Sequence, residues 1–120
     1  MNLQLKGRVA MITGPAKGMG AAITLAFAAE GTKLALVGRD VAAVEPVAQE
    51  ARAAGTEAIV IPCDLTDAKQ CEKAAAITNE TYGRIDILVE ASALPRTPAV
   101  SEIFTPAFLP DVNDRPKKLF

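Results

Sequence analysis

The stretch RVAMITGPAKGMGAAITLAFAAEG, residues 8–31, decides the fold. Its first part, Arg8 to Thr13, is a short apolar run, as expected of a strand buried on both faces. Met19 to Glu30 are mostly good helix formers, and Gly31 stands where a helix C-terminal glycine belongs. Between them, Thr13-Gly14-Pro15-Ala16-Lys17-Gly18-Met19-Gly20 form a glycine-rich turn from strand into helix. Unpaired N–H groups and the helix dipole favour an anion at such a turn, and glycines let the backbone approach it. Glycines at this junction can also serve tight packing alone. A Walker-type loop is excluded, because no Gly-Lys-Ser/Thr follows.

The same alternation runs outward along the chain. Lys33 to Gly38 predicts a second strand, and Asp40 caps a helix to about Ala54, with Gly55 closing it. Pro46 inside that helix predicts a kink or a later start. Glu57 to Pro62 predicts a third strand. Asp67 and Gln70 have capping-box spacing and open a helix to about Thr81, followed by Gly83. Ile85 to Glu90 predicts a fourth strand. Parallel strands joined by right-handed helical crossovers are the economical solution to this order.

After Ala91 the texture changes. Five of the eight prolines and three of the four phenylalanines fall there, and neither a helical nor a strand period survives. The expected organisation is a half domain over 1–91 and an irregular Pro-rich tail over 92–120. The fourth strand is then expected to have a bare apolar edge, available for self-association unless the tail covers it.

Composition narrows the function classes. Half of the 120 residues are hydrophobic and 22% are charged, with thirteen basic against fourteen acidic side chains. That balance fits a globular protein and predicts neither nucleic acid nor an anionic membrane as partner. The N-terminus reads neither as a signal peptide nor as a membrane span, so the cytoplasm is expected. Cys63 and Cys71 are then expected as reduced thiols. With no histidine in the chain, zinc sites of Cys/His type and His-assisted nucleophiles are excluded.

Three motifs in order resemble the short-chain dehydrogenase/reductase family: TGPAKGMG (13–20), CDLTD (63–67) and YGRIDILV (82–89). The resemblance covers about residues 3–89. It implies an α/β, Rossmann-like fold, here a partial doubly wound parallel sheet of about four strands. It also implies a nicotinamide dinucleotide. Gly14, Gly18 and Met19 would line the pyrophosphate, and Gly20 would let helix and sheet pack closely. Asp64 would accept from the adenine amino group, with Leu65 beside the ring. Cofactor choice falls at the end of the second strand, where acid suits a ribose hydroxyl and a cation suits a 2′-phosphate. Gly38 stands where NAD-preferring members carry aspartate, and Arg39 follows, with Lys17 on the same side. This favours NADP, with NAD as the alternative. Asp40 is positioned to neutralise Arg39.

The family's catalytic pair, a tyrosine with a lysine four residues on, is missing. Tyr82 is the single tyrosine, and Asp86 stands four residues later. Tyr82 is expected to be a packing residue. Where the family usually has Asn-Asn-Ala-Gly, this chain has Glu90-Ala91-Ser92-Ala93, which loses a brace and sets a carboxylate near the cofactor ribose. In DVND (111–114), Asn113 resembles the family's relay asparagine, though the spacing around it differs. The resemblance extends at most to 3-oxoacyl-carrier-protein reductases. The expectation is a cofactor-binding half that is not a competent dehydrogenase alone. The alternatives are a non-catalytic module that binds a dinucleotide or a partner, and a truncated product without independent function.

Overall fold

The computed structural model describes residues 4–91 and 117–118. Strands and helices alternate as β1 (Val9–Thr13), α1 (Gly18–Ala29), β2 (Lys33–Gly38), α2 (Val41–Ala53), β3 (Ala58–Pro62), α3 (Ala68–Tyr82) and β4 (Ile87–Glu90). A two-residue strand, β5 (Lys117–Lys118), completes a sheet of order β3-β2-β1-β4-β5 in which every pairing is parallel. This is the expected Rossmann-like layer arrangement.

β1 to β4 are largely apolar because helices cover both faces, and the period of two sorts their side chains. Ala10, Ile12, Leu34, Leu36, Ile87 and Val89 pack with Phe27 and Ala28 of α1 and Val44 and Ala48 of α2. Met11, Ala35, Val37, Ile61 and Leu88 face the other way, against Cys71, Ala74 and Ala75 of α3. Alanines on the buried stripes of α2 and α3 let both helices lie close to the sheet.

Asp40 caps α2, accepting from the Ala43 N–H at 3.3 Å. The helix therefore starts where Asp40 places it, not after Pro46, which lies on its exposed side. At α3, Asp67 accepts from the N–H groups of Lys69 and Gln70. The capping box is displaced, however. The Asp67 N–H donates to the Asp64 carbonyl at 2.9 Å, so the Gln70 amide oxygen instead accepts from the Asp64 N–H at 2.7 Å. Gly83 ends α3 at φ 81°, a left-handed conformation that suits glycine.

Two expectations at the fourth strand are corrected. The strand begins at Ile87, not Ile85, because the Asp86 side chain replaces a ladder partner: its carboxylate accepts the Val9 N–H at 2.9 Å. The Asp86 N–H donates in turn to the Val9 carbonyl at 2.9 Å. The edge of β4 is also not bare along its length. Ile87 and Leu88 pair with Lys117 and Lys118, residues expected to lie in a tail without strands.

Asp86 is 8% exposed and also takes Arg8, at 3.4 Å, and Arg84, whose Nε donates at 2.8 Å. It clamps the starting ends of β1 and β4. Asp86→Ala leaves a buried N–H and two guanidinium groups without this acceptor. A loss of about 2–3 kcal/mol is expected. Urea unfolding measures it, and a change within about 0.5 kcal/mol would assign Asp86 the weight of an ordinary surface residue.

Candidate functional site

The sheet register brings the carboxyl ends of β1, β2, β3 and β4 together. Thr13 lies opposite both Val37 and Glu90, and Gly38 opposite Pro62. The chain leaves β1 between β2 and β4, where the strand order reverses, which is the crevice that open α/β sheets offer to ligands. The Gly14 N–H donates to the Val37 carbonyl at 3.3 Å, and the Thr13 hydroxyl to the Val89 carbonyl at 3.4 Å. The mouth of the turn is thus tied to both neighbouring strands.

Within the turn, Gly20 has no room for a side chain. A Cβ there would stand 1.9 Å from the Gly14 carbonyl oxygen. Gly18 differs: it has φ +62° and open space where a Cβ would point. Lys17 is the N-cap of α1 in an extended conformation and supplies no side-chain cap. Gly18 and Met19 at the helix start are exposed, Met19 to 67%. The result is a shallow backbone surface at a helix N-terminus, open to a ligand and without its own capping oxygen. That is a fit for a phosphate.

Beyond β2 and β3, Arg39 Nη2 lies 2.9 Å from Asp64 Oδ1. Asp64 also accepts from the Thr66 hydroxyl at 2.7 Å and the Thr66 N–H at 3.0 Å. These Thr66 bonds, followed by Arg39, hold the Asp64 carboxyl down at about 2. The expected neutralisation of Arg39 by Asp40 is thereby corrected: Asp40 is engaged at the start of α2, and the carboxylate on Arg39 is Asp64. A cleft of about 490 Å3 opens beside the pair, with Pro62, Cys63, Gln70 and Lys73 in its lining. Leu65 packs partly against the α3 side of the core.

Glu90 ends β4 half-buried, and the following Ala91 N–H donates to the Thr13 carbonyl at 3.1 Å. The structure thus gathers Gly14, Lys17, Gly18, Met19, Gly20, Arg39, Asp64, Leu65 and Glu90 at one end of the sheet. Asn113 lies outside the described residues. Tyr82 does not join them. Its hydroxyl donates to the Leu34 carbonyl at 3.0 Å, Lys33 Nζ lies 5.9 Å from its ring centroid, and burial pushes its hydroxyl up to about 12. It is tied to the backbone of β2, as a packing residue is.

Sequence reasoning missed the supports of Asp64. Thr66 carries a signal, since a threonine two residues after an aspartate suits an Asx turn. Gln70 carries part of one: its spacing points to Asp67, whose carboxylate it does bond, but not to the Asp64 N–H that its amide oxygen also accepts. Cys63 and Cys71, expected as reduced thiols, are free, and their sulfurs lie 3.9 Å apart. No group of metal-ligating side chains occurs among the described residues, and no helix there is long and apolar enough to cross a membrane.

Residues 8–109 match the family model of the short chain dehydrogenases. An 11-beta-hydroxysteroid dehydrogenase-like protein of Arabidopsis thaliana is 35% identical over 100 residues, covering 82% of this chain and 32% of that protein. A metagenomic short-chain oxidoreductase solved in complex with NADP is 32% identical, with a TM-score of 0.72 over 82% of this chain and 48% of its own. An NAD+-bound xylitol dehydrogenase is 30% identical, with a TM-score of 0.70 over 72% of this chain and 33% of its own. The chain spans 7–39% of the length of the first curated relatives it matches. The glycine turn, the strand order and the family match agree, and the chain belongs to the short-chain dehydrogenase/reductase family.

Proposed function

We propose that the chain binds a nicotinamide dinucleotide, NADP(H) in preference to NAD(H), at the carboxyl end of its sheet. The carrying observation is the β1–α1 turn, whose open Gly18 and uncapped helix start meet the needs of a pyrophosphate. Backbone groups of Gly14, Gly18 and Met19 line the pyrophosphate in this reading, while Gly20 lets the turn close against Gly14. Asp64 accepts from the adenine amino group with Leu65 beside the ring, and Glu90 lies toward a ribose. Arg39, 72% exposed, moves from Asp64 to the 2′-phosphate, and Lys17 assists it. Asp64 keeps its Thr66 hydrogen bonds when Arg39 leaves, so the exchange does not strip it of partners.

The bound cofactor supplies hydride chemistry. The sequence holds no tyrosine with a lysine four residues on, and its single tyrosine is committed to the Leu34 carbonyl. The chain is therefore read as a binding unit that does not turn over a ketone by itself. A cytoplasmic setting, with the dinucleotide as partner and neither nucleic acid nor membrane, goes with this reading.

Calorimetric titration of the 120-residue chain tests it. NADPH is expected to bind at least about tenfold more tightly than NADH, and Arg39→Asp to weaken NADPH about tenfold to a hundredfold while sparing NADH. An unchanged NADPH affinity in Arg39→Asp would remove the 2′-phosphate from this site. Ketone-dependent oxidation of NADPH by the purified chain would overturn the non-catalytic reading.

The preference also carries a pH dependence. Asp64, held at about 2, stays ionised from pH 5 to 8, so it contributes no change there. A phosphate monoester loses its second proton near pH 6, and its added charge strengthens the Arg39 contact above that value. The ratio of NADPH to NADH affinity is expected to fall between pH 7 and pH 5. A ratio that stays flat across this range would count against contact with the 2′-phosphate.

A further inference from the structure

Cys63 and Cys71 are both free and buried, with Sγ atoms 3.9 Å apart. They come from different elements. Cys63 follows the end of β3, where its N–H donates to the Gly38 carbonyl at 3.0 Å, and Cys71 lies in the first turn and a half of α3. Between them runs the loop that carries Asp64, Leu65, Thr66 and Asp67. The two thiols therefore face each other across the base of the loop that supports the Arg39–Asp64 pair.

Their surroundings are unequal. Cys63 borders the cleft of about 490 Å3 that Arg39 and Lys73 also line, whereas Cys71 is not among its lining residues and directs its thiol to the Leu65 carbonyl at 3.7 Å. A reagent in the cleft meets Cys63 first. Arg39 and Lys73 against Asp64 leave the lining with one net positive charge, which favours a reagent that carries carboxylates.

We propose that Cys63 and Cys71 form a dithiol site that a small anionic disulfide closes to an intramolecular bond. Burial, and after it the neighbouring Cys71, pushes the Cys63 thiol up to about 12. The attack therefore runs through the small thiolate fraction that alkaline solution supplies: Cys63 loses its proton to solvent, and its thiolate attacks one sulfur of the small disulfide. A Cys63 mixed disulfide forms, and one small thiolate leaves. The deprotonated Cys71 then attacks Cys63 Sγ, forming the Cys63–Cys71 bond and releasing the second small thiolate. The two cysteines are oxidised, and one small disulfide is reduced to two thiols, with the protons balanced through solvent. The 3.9 Å separation leaves about 1.9 Å to close to a bond of ~2.05 Å, a movement that adjustment of two side chains and the start of α3 supplies. The closed ring fastens the Asp64 loop at both ends, and reduction by a dithiol reopens it.

Oxidised glutathione, incubated with the full 120-residue chain without denaturant, is the probe. Trypsin cleaves after Lys69 and puts the two cysteines on separate peptides, so a digest under non-reducing conditions reports the bond directly. The expected result is a chain lighter by two hydrogen atoms, both thiols blocked to maleimide, the two peptides joined, and full reversal by dithiothreitol. In Cys71→Ala the second attack is impossible, and glutathione is expected to remain on Cys63. Thiols that both stay reactive, a glutathione adduct that persists on the unaltered chain, or a bond between two chains would each overturn the proposal. Failure of Cys71→Ala to acquire the adduct, in a sample with the same circular dichroism, would overturn the assignment of Cys63 as the first to react.

Discussion

Much of the architecture follows from one constraint, the seating of Gly20 against the Gly14 carbonyl. Because a Cβ at Gly20 would stand 1.9 Å from that oxygen, α1 can begin only with a glycine there. The helix start is thus held against the end of β1, and the axis of α1 is set relative to the strands it crosses. From that placement Phe27 and Ala28 reach the face formed by Ile12, Leu34 and Val89. The same contact folds the turn so that Gly18 is left open at the helix start. The packing of α1 and the open helix start are therefore two consequences of one steric limit.

Most of the fold is legible in the sequence because each strand is apolar on both faces and each helix carries a capping or closing residue. Lys33–Gly38 is read without error, and the other early boundaries fall within a residue or two, as for Arg8 against Val9 and Glu57 against Ala58. Two of the misses share a cause: a side chain took a partner that spacing alone does not identify. Asp86 substitutes for a ladder carbonyl and shortens β4, and the Gln70 amide, while donating to the Asp67 carboxylate, turns its oxygen to the Asp64 N–H. β5 was not legible, since two lysines carry no strand period by themselves.

The candidate site was legible as a set of positions and not as a network. The motifs name Gly18 and Asp64, the end of the second strand names Arg39, and register arithmetic suffices to bring the strand ends together. They do not say that Arg39 and Asp64 pair, because both belong to loops whose meeting depends on where β2 and β3 stop. Gly38 opposite Pro62 fixes that meeting. Asp64 then becomes the junction of four groups: its N–H is held by Gln70, and its carboxylate by Thr66 twice and by Arg39. A carboxylate so supplied keeps its place when one partner is withdrawn, which a lone ion pair on the surface would not do.

The two ends of the sheet divide the polar work between them. At the amino ends of β1 and β4, Asp86 is nearly buried and its arginines lie close, so its hydrogen bonds are made in a setting where losing one is costly. At the carboxyl ends, Arg39 is mostly exposed and the start of α1 lacks a side-chain cap, so partners there can be exchanged at small cost. A parallel sheet imposes this division. All its strands start at one edge and stop at the other, so the groups that fix register and the groups that remain open to a ligand are separated by the length of a strand. Stability is thus concentrated at the amino edge, and the carboxyl edge is left with donors whose partners can change.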